Sequence, residues 1–269
     1  MAEMNCLAGV LFGAIMGSFA NVLIWRLPRR ELPWSPRHSY CPHCHAGVKA
    51  RDNIPLLSFL LLKGRCRYCR GSISWRYPLV EATMAAAAYL TCRRLGLEQW
   101  SDWIAFGGFL IFLTALTAVA FIDFETYLIP DALSVGLAFF MIAFAPWNPL
   151  LGPSALGRLW ASCLGALCGG GLYFIFAAVG KKLYKMEAMG GGDVKLAAAI
   201  GAALGIESIF SVVFLSSTFG VLYAAPMLAM RRLRRLDPVP YGPFLVLAAA
   251  VYFWFGMLFP AFLKFPFAP

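Results

Sequence analysis

The chain has 269 residues, of which 61% are hydrophobic and only 13% charged, with a mean hydropathy of +0.72. Soluble domains carry roughly 45–50% apolar and about 25% charged residues, so a soluble globular protein is excluded and a polytopic membrane protein is expected. The net charge of +10 does not signal nucleic acid, because the cations sit in alternate connections between apolar runs: eleven in 26–78, four in 180–195 and four in 231–235.

The apolar runs have the length that a helix rising about 1.5 Å per residue needs to cross roughly 30 Å of hydrocarbon. About eight transmembrane helices are expected, near 5–25, 77–92, 103–122, 131–147, 155–179, 193–206, 208–230 and 241–263. No alternation of period two marks a spanning barrel. The fold class is therefore an all-α polytopic membrane protein. The positive-inside rule makes the basic connections cytoplasmic, which leaves both termini outside and gives the basic face an attraction for anionic membrane lipid.

The first run carries its arginines behind it rather than in front and shows no small-residue cleavage pattern, so it reads as a retained helix and not a signal peptide. Gly9, Gly13 and Gly17 recur every fourth residue and read as a helix-packing face. Ser18 and Asn21 are polar near the cytoplasmic end, placed to bond a neighbour or line a site.

Residues 26–78 form the one sizeable polar part, with Cys41-Pro-His-Cys44 and Cys66-Arg-Tyr-Cys69 as two Cys-x-x-Cys pairs. Two such pairs supply four thiolates for a tetrahedral ion, and zinc is the default occupant; a small loop with little core needs that support. The alternatives are disulfides, disfavoured in a reducing cytoplasm, or free thiols. His43 and His45 flank the first pair and read as solvated, and His38 carries no usable pattern. Asn53 to Leu62 is apolar but too short to span, so it packs on the metal loop or dips into the membrane interface. Cys6, Cys92, Cys163 and Cys168 lie in or beside apolar runs and read as buried hydrophobic side chains.

The third run delivers Asp123, followed by Glu125 and then Pro130-Asp131 at the start of the fourth. Asp131 is also explained as an acid at a helix N-terminus, whereas Asp123 ends a helix, where the dipole disfavours negative charge. Gly165, Gly169, Gly170 and Gly171 read as packing within a span. Gly190-Gly-Gly192 allows close backbone approach and delivers Asp193 to the first turn of the next helix, with Lys195 beside it. Intramembrane acids are costly, and two acidic sites on one face ask for a function. If Asp123 and Asp193 come within reach of each other they share a proton, an arrangement suited to hydrolysing an amide without a covalent intermediate.

In combination, Gly17-Ser-Phe-Ala-Asn-Val22 with Arg26 and Pro28, the two cysteine pairs, Asn53-Ile-Pro55, Asp123 ahead of Ile129-Pro-Asp131, and Gly190-Gly-Gly-Asp-Val-Lys195 resemble the bacterial type IV prepilin leader peptidase and N-methyltransferase family along nearly the whole chain. The resemblance implies an intramembrane aspartic endopeptidase in the bacterial inner membrane with Asp123 and Asp193 catalytic. It further implies removal of a short basic leader after Gly from prepilins or pseudopilins at the cytoplasmic face. The new N-terminal residue, commonly Phe, is then methylated with S-adenosylmethionine. Assembly proteins of pili or type II secretion are implied as further partners. Supporting roles fall to Asp131, Glu125, Lys195, Gly192 and Asn21, and the metal set to Cys41, Cys44, Cys66 and Cys69. An N-terminal region, 1–100, with the cysteine loop and the first two helices, precedes a six-helix peptidase domain, 101–269. No strand followed by a Gly-rich turn marks a cofactor site; residues 26–78 with the first helix are the expected location. The competing readings are a peptidase alone, a cation-coupled transporter using the same aspartates, and a scaffold docking through its metal loop.

Overall fold

The computed structural model describes residues 2–35, 39–185, 189–234 and 237–256. His38, Arg37, Arg235 and the last part of the eighth expected span, 257–263, lie outside them. The described residues form nine α-helices and no strand: α1 Ala2–Arg26, α2 Leu57–Leu61, α3 Arg76–Leu95, α4 Trp100–Thr126, α5 Asp131–Phe144, α6 Ala155–Tyr184, α7 Gly191–Leu204, α8 Ile206–Ala229 and α9 Gly242–Phe255. A helix stands at each of the eight expected positions, the eighth described as far as Phe255, and the ninth, α2, is a short helix inside the apolar stretch 53–62. Four helices, at Glu3–Arg29, Trp100–Thr126, Ala155–Leu183 and Ile206–Ala229, are long and apolar enough to cross a membrane, with shorter apolar helices at Asp131–Trp147 and Gly242–Phe255.

The chain divides into two compact units, Met1–Ala118 and Val119–Pro269. In the first, α1 packs along α3 through its glycine face. A Cβ on Gly17 would lie 2.7 Å from Glu81 Cα, and one on Gly13 would lie 2.6 Å from the Met84 carbonyl. This close approach joins Cys6 to Cys92 as a disulfide, with their Cα atoms 5.5 Å apart. Both are buried, as the sequence leads one to expect, and the structure adds the bond between them. Sequence patterning shows only that each is buried, and pairing follows from the helix contact. Cys163 and Cys168 are free and half-buried.

In the second unit the glycine run of α6 packs on the small face of α7. Gly165 and Gly201 meet backbone to backbone, leaving no room for a Cβ on either, and a Cβ on Gly169 would lie 2.6 Å from the Ala197 carbonyl. The last carbonyls of α7, which have no partner within their own helix, are satisfied from outside: Ser162 Oγ donates to Ala202 O at 2.8 Å and Asn148 Nδ2 to Ala203 O at 2.7 Å. Both donors are fully buried. The C-terminal end of α7 is thereby held against its neighbours.

Candidate functional site

Asp123 lies in the last turn of α4, and the helix closes just beyond it. Tyr127 takes a left-handed conformation at φ 57° and returns its N–H to the Asp123 carbonyl at 2.8 Å. The C-terminal end of a helix disfavours a carboxylate, and a second helix offsets this. Gly242, the first residue of α9, donates its backbone N–H to Asp123 Oδ2 at 2.9 Å, so the positive end of α9 faces the acid. Only glycine allows this, because a Cβ at position 242 would stand 2.7 Å from the same oxygen.

Asp193 occupies the first turn of α7. Its N–H bonds the Gly190 carbonyl at 3.1 Å. Gly192 is pressed against Ile129, where a Cβ would come within 2.8 Å of Ile129 Cβ. The two aspartates, 70 residues apart in the chain, retain only 5% and 8% of their surface and interact electrostatically. Asp193 Oδ1 is buried with no hydrogen-bond partner among the described residues, an oxygen that is costly unless a water or substrate group reaches it.

Beside Asp193 lies a hydroxyl cluster that the sequence reading missed. Tyr173 of α6 interacts electrostatically with Asp193. Its hydroxyl lies 3.2 Å from Ser216 Oγ and 3.4 Å from the Tyr241 hydroxyl, and Ser216 Oγ lies 2.7 Å from Tyr241. Tyr241 immediately precedes Gly242, so the cluster braces the loop whose N–H holds Asp123. Isolated Tyr and Ser residues in apolar helices carry no signal from sequence alone.

Of the expected supporting residues, Lys195 and Asp131 form an exposed ion pair at 2.6 Å. Glu125 is exposed. Asn21 belongs to the other compact unit.

The cysteine loop consists of two matching knuckles. In each, an isolated antiparallel bridge, Tyr40 with Gly47 and Arg65 with Ser72, brackets the Cys-x-x-Cys turn. The residue after each second cysteine, His45 or Arg70, takes positive φ and donates its N–H to the carbonyl of the first cysteine, Cys41 or Cys66, at 2.9 and 3.1 Å. The four sulfurs lie within 4.8 Å of one another, and Cys41 and Cys69 are 3.8 Å apart. Bonds of about 2.3 Å to a tetrahedral ion put sulfurs about 3.8 Å apart, so the set fits such an ion. Backbone N–H groups of Cys69 and Tyr68 lower the Cys66 thiol to about 7. For Cys69 the Gly71 N–H acts in the same sense, but desolvation and the neighbouring thiols outweigh it and push that thiol up to about 11. Four thiolates crowded together need a cation to coexist. A bidentate pair from Arg67 to Asp52, at 2.8 and 2.6 Å, ties the second knuckle to the segment between them and holds the Asp52 carboxyl below its usual range.

Residues 11–95 match the bacterial peptidase A24 N-terminal domain, and residues 110–225 match the type IV leader peptidase family. A protein of Dickeya chrysanthemi named prepilin leader peptidase/N-methyltransferase is 35% identical over 91% of this chain and 90% of its own. Proteins of the same name are 34% identical in Stutzerimonas stutzeri, over 96% of this chain and 94% of the relative, and 32% identical in Dichelobacter nodosus, over 91% and 90%. No solved structure matches significantly. Matches that run through both the cysteine loop and the two aspartate motifs establish that the chain belongs to the type IV leader peptidase family.

Proposed function

We propose that this protein is a prepilin leader peptidase and N-methyltransferase whose peptidase chemistry is carried by Asp123 and Asp193. The observation that carries the reading is the buried pair of interacting carboxylates, one of whose oxygens has no partner among the described residues, in a chain of a peptidase family. The ionised member takes a proton from water as its oxygen bonds to the peptide carbonyl carbon, and the protonated member gives its proton to the carbonyl oxygen. As the tetrahedral intermediate collapses and the C–N bond breaks, the first acid gives the proton it took from water to the leaving amine and the second carboxylate takes a proton back from a hydroxyl of the intermediate, which returns the pair to its starting state. The substrate bond is the one after Gly in a prepilin or pseudopilin leader, approached from the cytoplasmic face of the bacterial inner membrane. Family membership favours this hydrolysis over cation transport. Asp123→Asn and Asp193→Asn in purified protein should each slow leader cleavage by about 10²- to 10⁴-fold; normal trimming by either variant sinks the dyad.

The four thiolates hold a structural Zn²⁺ with no open position, so the ion stiffens the loop and takes no part in chemistry. The methyl donor is S-adenosylmethionine, which supplies an electrophilic methyl group. Residues 26–78 with α1 remain its proposed location, supported by a cavity of 440 Å³ there. The Cys6–Cys92 disulfide supports placing the N-terminus and the α3–α4 connection on the outer, oxidising side.

A further inference from the structure

The cavity of the Met1–Ala118 unit falls within the range of about 300–1,000 Å³ typical of small-molecule sites. It is lined by aromatic rings, among them Trp25, Tyr40, Phe59 and Tyr77, and by Asn21 of α1 and Glu81 of α3. Asn21 is 2% exposed. Its Nδ2 donates to the Gly17 and Tyr77 carbonyls at 3.3 and 3.1 Å, while its Oδ1 is buried and accepts nothing from the described residues. Glu81 is 8% exposed. Its Oε2 accepts the Leu56 N–H at 2.7 Å, but no described Lys or Arg forms an ion pair with it. The tight crossing at Gly17, one turn before Asn21, presses α1 onto the Glu81 backbone.

A buried carboxylate without a counter-cation, lining the same cavity as an amide oxygen without a donor, is unfavourable by itself. One group answers both, a primary ammonium, which brings a positive charge and three donors. Arg26 and Arg76 also line the cavity, which disfavours a simple metal cation and suits an organic ammonium attached to a larger, partly anionic molecule. We propose that Glu81 and Asn21 form an ammonium-binding site for the methyl-transfer half of the protein. The ammonium has two sources in that chemistry, the amino-acid end of S-adenosylmethionine and the N-terminus of the trimmed peptide. The assignment rests on the methyl-transfer reading and adds to it two residues that hold an amine.

Binding measured by calorimetry on the full chain in detergent tests this, with parent, Glu81→Gln and Asn21→Leu. Gln at 81 keeps an acceptor for Leu56, and thermal unfolding checks that each variant is folded. The probes are S-adenosylmethionine against 5′-methylthioadenosine, which lacks the amino-acid end, and a peptide beginning with Phe against its N-acetylated form. Both variants should weaken the amine-bearing member of one pair by about 10- to 100-fold and leave its amine-free counterpart unchanged. The affected pair identifies the source. Unchanged affinities for both amine-bearing probes, or a parent that binds neither, overturns the proposal. A parent that binds them yet transfers no methyl group overturns the methyl-transfer reading instead.

Discussion

Cys41 and Cys69, the outer members of the thiol cluster, are 28 residues apart in the chain, whereas the N–H that grips Asp123 comes from Gly242, 119 residues away. The knuckle loop is assembled from two local turns, each closed by its own hydrogen bonds, and little apolar core surrounds it: Leu60, Leu61 and Trp75 are 70%, 68% and 76% exposed. The aspartate site has the opposite construction. No local motif brings its two acids together; helices with glycine and alanine faces do, by packing closely enough to bury both. A loop of the first kind depends on a cross-linking ion, and a site of the second kind depends on the absence of side-chain volume at a few backbone crossings.

The largest expected effect tests the first half of that contrast. Cys41→Ser or Cys66→Ser should lower bound metal, measured by elemental analysis of purified protein, from about one ion per chain to none. Unchanged metal content would refute the four-thiolate set, and a parallel collapse of leader cleavage would show that the two regions are less independent than their construction implies. Next comes Gly242→Ala, which places a methyl group against Asp123 Oδ2 and should reduce cleavage by roughly 10- to 100-fold with little change in metal content. Cleavage at the parental rate would mean that the Gly242 N–H does not position the acid.

A smaller effect is expected from Tyr241→Phe, which removes the hydroxyl shared with Ser216 and Tyr173. Thermal unfolding should report a loss of about 1–3 kcal/mol, since buried partners are left unsatisfied. The smallest belongs to Lys195→Met. The Lys195–Asp131 pair is solvent-exposed, so stability should change by less than about 1 kcal/mol and cleavage hardly at all. A large fall in cleavage would return Lys195 and Asp131 to the chemistry.

The amino-acid sequence by itself determined the membrane class, the eight main helices, both cysteine pairs and the two aspartates, because each is written locally. Apolar length specifies a span, Cys-x-x-Cys specifies a turn, and an acid at a span end is too costly to be incidental. It also identified the glycine runs of α1 and α6 as packing faces, since small residues at helical spacing have few other uses. Only the tertiary structure decided what those faces meet. It joined Cys6 to Cys92, buried Glu81 beneath Gly17, and gave Asp123 the N–H of Gly242. It gathered Tyr173, Ser216 and Tyr241 beside Asp193 and left Lys195 with Asp131 at the surface. The physical reason is the same in each case. In a chain this apolar, one helix face looks much like another, and the choice among them is made by close packing between residues far apart in sequence, which no local pattern records.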